Sequence, residues 1–315
     1  MKVLVIQQRF GIGDQVIFTN YYHNIAKKLG FPITLLAKKS SRAKDLFAED
    51  KYINGIIELS NQNDGTLGFF KLLKQVKLKK FDIVFIFNGS LRYFLLAKLA
   101  GIKKVYQYPL FKSKDIIFET AKELTESFLK KPVDTQPKLI LEEKTIQNAK
   151  KKYEFDNSYN HIVFGLSASG KSTKVWPIEN FIELAKKINS VKRSKFYLAC
   201  GKDDSDLISK FLNSSLKDNC ISLNNLTIQE ILPIIKNSKF YVGNDTGFMH
   251  ISSALGLNCI GIFGDSPAYA YSAYSKNIYA VVPEGEDLKT TTHNTRGINK
   301  ISVLKVFEKV TSLIS

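Results

Sequence analysis

The chain is poor in cysteine, poor in acid, and lacks any long apolar run. Its three cysteines, Cys200, Cys220 and Cys259, show no CxxC spacing and have no histidine beside them. That excludes a zinc site of the familiar spacings and a disulfide framework, and reads as inert thiols in a reducing, cytoplasmic compartment. No apolar run reaches the roughly 18–20 residues that cross a bilayer. The start, MKVLVIQQ, carries one lysine and an apolar run too short for a signal peptide, and suits a first buried strand. Acid is scarce: 29 Asp and Glu stand against 46 Lys and Arg, a net charge of +17. Such an excess calls for an anionic membrane surface or a polyanionic substrate, or else reflects lysine pairs on solvated faces. Nucleic acid is not expected, because no RNP, zinc-finger or helix-turn-helix pattern is present and the lysine pairs do not interleave with aromatics.

What is present is a globular composition, 44% hydrophobic and 24% charged over 315 residues, long enough for two domains with separate cores. Apolar runs alternate with helix-period segments throughout. Strands are expected at Val3–Gln7, Ile33–Ala37, Gly55–Leu59, Ile83–Phe87 and Lys104–Tyr108, with helices at Asp14–Leu29, Ala43–Ala48, Gly68–Lys77, Leu91–Ala100 and Phe118–Lys130. Lys131–Asp156, with two prolines and then a charged helix, reads as a linker. A second alternation follows: strands His161–Leu166, Lys195–Ala199 and Cys220–Ser222, helices Ile178–Val191, Asp204–Leu212 and Ile228–Asn237, then FYVGNDTGFMHISSALGLNCIGIFG. A final amphipathic helix, Ile301–Ile314, could return to the first domain. Strict β–α alternation implies parallel sheets with helices on both faces. The expected class is therefore α/β, two Rossmann-like domains facing a central cleft, with ligands at the carboxyl ends of the strands.

Four loops carry chemistry. The first strand runs into Arg9-Phe-Gly-Ile-Gly-Asp14. Gly11 and Gly13 permit a tight turn, and Asp14 is either a helix cap or a general base for a hydroxyl nucleophile. The G-x-G is not completed as a dinucleotide fingerprint, since position 16 is Val. The second loop, GLSASGKSTKVWP, is a formal Walker A match from Gly165 to Gly170-Lys171-Ser172. In a P-loop the Lys-Ser pair opens a helix, and Pro177 would fall in that helix's second turn, so Pro177 instead marks the start of a later helix. The loop still offers hydroxyls and the cations Lys171 and Lys174, with Trp176 as its anchor. The third, Gly201-Lys-Asp-Asp204, places a carboxylate at a strand end, where ribose hydroxyls bind. Asp204-Ser-Asp206 also spells DxD, a metal–diphosphate motif, although the same residues suit a helix start. In the fourth, Asn224–Ile228, Leu226 either borders a flat base or is plain core. Asp245, Thr246, Gly247 and His250 then cluster at a helix N-terminus, where unpaired amides and the helix dipole suit a phosphate. The same pattern also describes an ordinary capped helix with a satisfied core histidine.

Together these loops resemble glycosyltransferase family 9, the ADP-heptose:lipopolysaccharide heptosyltransferases. The likeness covers nearly the whole chain: a first strand followed by G-x-G-D, the run FDIVFIFNGSLRYFLLAKLAG, K-x-W-P, G-x-[DE]-[DE], and D-[ST]-G-x-x-H followed by an apolar strand and FG. The resemblance implies the GT-B fold, inversion at the anomeric carbon, and no metal or other cofactor, with an ADP-sugar as donor substrate. Residues 1–155 would bind the acceptor and 156–315 the nucleotide sugar. It implies Asp14 as the base, with Arg9 and Gly13 on the acceptor side. It implies Lys174 as the cation at the phosphates, Ser169 and Gly170 touching phosphate, Asp203 on the ribose and Leu226 on adenine. Asp245, Thr246, Gly247 and His250 would hold the sugar and diphosphate. The implied partners are ADP-heptose or a similar nucleotide sugar, an anionic lipid-linked glycan acceptor and the inner face of the inner membrane.

Three features depart from the family pattern. Asn20 stands where a proline is common, DSPAYAYSAYSKN replaces a Thr- and Pro-rich loop, and THNTRGIN replaces a cysteine-bearing segment. They leave the sugar and acceptor open. The alternatives from other classes are a P-loop nucleotide hydrolase and a non-catalytic sugar-nucleotide-binding protein.

Overall fold

The computed structural model describes residues 1–110, 116–168, 172–201 and 204–314. It divides into two compact units, Met1–Ile140 and Leu141–Ser315. The first comprises β1 (Val3–Gln7), α1 (Ile12–Ile17), α2 (Thr19–Leu29), β2 (Ile33–Lys38), α3 (Ala43–Leu46), β3 (Ile53–Leu59), α4 (Gly65–Lys79), β4 (Ile83–Ile86), α5 (Leu91–Leu99), β5 (Lys104–Gln107) and α6 (Ile117–Leu129). Its five strands are all parallel, in the order β3-β2-β1-β4-β5. β1 and β4 are buried along their whole length, as strands covered on both faces must be. α4 and α5 pack their buried sides onto one sheet face, Leu72, Val76, Tyr93, Leu96 and Ala97 meeting Leu4, Ile6, Val84 and Ile86.

The expected single helix from Asp14 to Leu29 is two helices. Gly11, extended at ψ 149°, lets α1 begin at Ile12, so Asp14 lies in its first turn rather than at its start. The break at Phe18 is held by Thr19, whose hydroxyl donates to the Val16 carbonyl at 2.9 Å and accepts from the Lys138 amide at 3.0 Å. That side-chain bonding competes with the helix ladder.

The second unit comprises α7 (Glu143–Lys152), β6 (Asn160–Gly165), α8 (Ile178–Val191), β7 (Ser194–Ala199), α9 (Ser205–Leu212), β8 (Cys220–Ser222), α10 (Ile228–Asn237), β9 (Phe240–Asn244), α11 (Gly247–Ala254), β10 (Asn258–Ile262), α12 (Ala268–Ser272), β11 (Ile278–Val281) and α13 (Val303–Ile314). Six parallel strands run in the order β11-β10-β9-β6-β7-β8. The division falls before the expected boundary at 155, because α7 belongs to this unit. It packs on α10, where the Asn237 amide donates to the Ile146 carbonyl at 2.9 Å. α12 and β11 were not expected. The edge strand β11 is short and half-exposed, so it carries little apolar signal. The last helix packs on α8 and on β10 and β11.

At the centre of this sheet Gly165 pairs with Gly243. A Cβ on Gly243 would lie 2.5 Å from the Gly165 carbonyl oxygen, and one on Gly165 would lie 1.8 Å from the Tyr241 hydroxyl. Glycine is required at both because the Tyr241 ring and the paired backbones fill the space. Gly243→Ala is expected to destabilise the fold by about 1–3 kcal/mol, read as a lower urea midpoint at unchanged slope.

Candidate active site

Three of the expected loops lie at points where strand order reverses, and the other two follow β7 and β8, farther along the second sheet. In the first sheet that point lies between β1 and β4, and the Arg9–Asp14 loop leaves the carboxyl end of β1. In the second it lies between β6 and β9, flanked by the loops Leu166–Pro177 and Asp245–His250. Parallel α/β sheets bind ligands at such positions because the two neighbouring loops diverge to opposite faces and leave a crevice.

The first loop is built around a carboxylate held on both oxygens. Asp14 Oδ1 takes the Arg9 Nε–H at 2.6 Å and Oδ2 takes the Gly11 amide at 3.1 Å. Its side chain stays 17% exposed, so it remains within reach of a substrate. Beneath it lie two fully buried glutamines. The Gln7 side-chain oxygen accepts from the Arg9 amide at 2.6 Å and from Gln15 Nε2 at 3.0 Å, while Gln7 Nε2 donates to the Asp14 carbonyl at 3.3 Å. The Tyr22 hydroxyl closes the chain by donating to Gln15 Oε1 at 3.1 Å. Burial pushes the ionisation of that phenol well above its ordinary range, so it stays a donor. Gln7, Gln15 and Tyr22 were not singled out by sequence. A buried polar residue closing an apolar strand, as in VLVIQ, was the available signal.

In the second unit Thr246 caps α11, its Oγ1 accepting from the Phe248 amide at 3.1 Å, and Gly247 is the first helical residue. His250 is 4% exposed and does not face open solvent. Its Nδ1 is hydrogen-bonded to the Tyr274 hydroxyl, and its Nε2 lies 3.5 Å from Asp245 Oδ1. Burial keeps the Tyr274 phenol protonated far above its ordinary range. His250 thus lies between Tyr274 and Asp245, whose side chain is 11% exposed.

Lys174 is half-buried on the 3₁₀ turn Ser172–Lys174. The helix that follows starts only at Ile178, after Pro177. That is not the continuous strand–loop–helix of a Walker A site. Trp176 anchors the loop as expected: it is fully buried, donates from Nε1 to the Ile301 carbonyl at 2.8 Å, and packs edge-on against Phe181. Leu226 is half-buried beside Thr227, which caps α10 with Glu230 in a reciprocal box. Ser169, Gly170, Lys171 and Asp203 lie outside the described residues. Among the described residues no group of three His, Cys, Asp or Glu side chains could hold a metal ion.

Two further residues organise these loops. Buried Asn244, at the end of β9, accepts from the Trp176 amide at 2.9 Å and donates to the Leu166 carbonyl at 2.8 Å. Asp265, directly after the FG of the last motif, accepts from the Thr173 hydroxyl at 2.6 Å and from the Arg296 amide at 2.9 Å. An uninterrupted polar residue before or after a buried strand was the signal for both.

A family model described as glycosyltransferase family 9 (heptosyltransferase) matches residues 69–297. The chain belongs to this family. It is 26% identical over 218 residues to lipooligosaccharide heptosyltransferase 2 of Haemophilus influenzae, a match covering 67% of this chain but only 62% of that relative's length. In fold it resembles the E. coli ADP-heptose LPS heptosyltransferase II, with a TM-score of 0.78 at 18% identity over 100% of this chain and 98% of the other. It likewise resembles the E. coli heptosyltransferase WaaC solved with ADP, with a TM-score of 0.74 at 13% identity over 99% and 100%. At these identities the likeness to the solved structures is one of fold, and that fold is two parallel α/β sheets.

Within the second unit of this heptosyltransferase-family chain, Asn244→Ala would strand the Trp176 amide and the Leu166 carbonyl. The expected cost is about 2–4 kcal/mol, measured by chemical denaturation.

Proposed function

We propose that the chain is an inverting, metal-independent glycosyltransferase moving heptose, or a related sugar, from an ADP-sugar to a lipopolysaccharide core or another surface-glycan acceptor. The observation that carries this reading is that Asp14, Lys174 and Asp245–His250 lie on loops beside the switch points of the two sheets, in a chain of the heptosyltransferase family. The relatives named above are heptosyltransferases by name, and one was solved with ADP.

The chemistry follows from the residues. The acceptor hydroxyl attacks the anomeric carbon from the face opposite the diphosphate. The new C–O bond forms as the bond to the diphosphate oxygen breaks, and the hydroxyl proton passes to Asp14. Each oxygen of an ionised carboxylate has more than one lone pair, so Asp14 can accept this proton while Arg9 and the Gly11 amide hold it in place. Arg9 is a positioning residue in this scheme. ADP leaves with growing negative charge. The N-terminal amides of α11, Gly247 and Lys174 offset that charge without a metal. Asp245, beside His250, takes the sugar hydroxyls. Leu226 lies against the adenine, and buried Asn224 Oδ1, which has no partner among the described residues, offers an acceptor for its amino group. Ser169 and Gly170 would touch phosphate and Asp203 the ribose. Gly13 keeps the acceptor side of the Asp14 loop free of side chain. The chain would work in the cytoplasm at the inner face of the inner membrane, where a lipid-linked acceptor is presented.

Asp14→Asn is expected to lower kcat by about 10²–10⁴-fold while ADP-sugar affinity stays unchanged in calorimetry. Retention of full turnover would remove Asp14 as the base. Lys174→Ala is expected to weaken ADP-sugar binding by roughly 10–100-fold, and an unchanged Kd would take Lys174 out of the donor site.

A further inference from the structure

The outer surfaces of α4 and α5 are apolar where a solvated helix is normally polar. On α4, Leu67, Phe70 and Leu78 are 81%, 57% and 71% exposed; on α5, Leu91, Leu95 and Leu99 are 51%, 45% and 54% exposed. The spacings i, i+3, i+11 and i, i+4, i+8 each place three side chains on one helical stripe. In both helices that stripe lies opposite the buried side. On α4 the buried side is Gly68, Leu72 and Val76; on α5 it is Tyr93, Leu96 and Ala97. Since both buried sides pack on the same sheet face, both outer stripes look away from it in the same direction. The result is one surface made by two adjacent helices.

Its charge has a single sign. Lys71, Lys74 and Lys77 interleave with the apolar stripe of α4, and Lys98 lies within that of α5. Neither helix contains an acidic residue. Between Gly65 and Leu110 the only acid in the sequence is Asp82, which is engaged by the Lys2 amide at 2.7 Å. Of the remaining cations, Lys79 ends α4, and Arg92 is turned inward, donating to the Asn63 and Gly65 carbonyls and lying over the Phe69 ring. A surface made to meet water, or an ordinary protein partner, mixes the two signs. Leucine and phenylalanine set among lysines, with acid excluded, is the composition of helices that lie at an anionic lipid interface: the apolar side chains enter the acyl boundary and the ammonium groups reach back to the headgroups.

We propose that the α4–α5 face is the surface by which this chain docks on an anionic lipid bilayer. The inference deepens the reading of a lipid-linked acceptor, because it names the face that brings the enzyme to the membrane holding that acceptor. It also gives part of the +17 charge a location and a purpose.

The test is co-sedimentation of the full chain with phosphatidylglycerol-rich vesicles and with pure phosphatidylcholine vesicles, at low and high salt. Calorimetric ADP binding on the same preparations checks that each variant is folded. The wild-type chain is expected to partition onto the phosphatidylglycerol vesicles only, and less so in high salt. Lys71→Glu/Lys74→Glu is expected to weaken that partitioning by more than about ten-fold, and Leu67→Ser/Phe70→Ser to abolish what survives in high salt, with ADP affinity unchanged in both. Equal partitioning of either double variant, or a wild-type chain indifferent to lipid charge, would overturn the proposal. So would sedimentation equilibrium showing that Leu67→Ser/Phe70→Ser breaks a dimer in a chain that ignores vesicles, for then the face belongs to a second copy. A wild-type chain that binds vesicles but not ADP would overturn the transferase reading and leave this one standing.

Discussion

The loops of the second unit depend on one buried amide, that of Asn244. Completely shielded from solvent, it closes β9 and spends its side chain on the main chain of two other positions: the end of β6 at Leu166 and the start of the Trp176 anchor. Its own carbonyl accepts from the Tyr241 hydroxyl at 2.9 Å. Buried amide groups left unpaired are costly, so this arrangement over-determines where the loop after β6 leaves the sheet relative to the turn that opens α11. The other loops are tied to the same frame. The Ser167 hydroxyl accepts from the Gly201 amide at 3.0 Å, and Thr173 reaches Asp265 at the end of β10. The loops of β6, β7, β9 and β10 are thus joined by side chain to main chain or to one another. The proposed donor site needs that rigidity, because fixed dipoles stabilise a leaving diphosphate only if they need not reorganise.

The Arg9–Asp14 loop of the first unit follows the same rule with different residues. Asp14 is held by Arg9 and Gly11, and the loop is held from below by Gln7, Gln15 and Tyr22. The carboxylate is exposed enough to be used and fixed enough to be aimed. Both loop clusters therefore rest on buried polar groups at strand ends.

The sequence revealed the alternation of strands and helices, and with it the parallel sheets, because buried parallel strands such as VLVIQ and IVFI are uninterrupted apolar runs and the helices between them have strong apolar stripes. It revealed the position of Pro177 before α8, since proline tolerates only a helix start. It did not reveal α12 or β11, which are short, rich in Tyr and Ser, and lie at a sheet edge. Nor did it reveal the break at Phe18, because Thr19 acts there through Lys138, far away in sequence. The motif residues were legible as chemistry-bearing types, but their partners were not. That Tyr274 would hold His250 is a fact of tertiary contact, and that Arg9 would hold Asp14, five residues on, depends on how the loop turns. His250 is buried, with Tyr274 at one ring nitrogen and Asp245 near the other.

The central claim is that the loops around Asn244 form a pocket for an ADP-linked sugar. The most direct measurement is calorimetric titration of the chain with one sugar carried on ADP, UDP and GDP in turn. The account predicts saturable binding of the ADP-sugar and at least a ten-fold preference over the other two, roughly what one well-made hydrogen bond plus base packing supplies. Equal affinity for all three nucleotides, or no binding of the ADP-sugar, would contradict it.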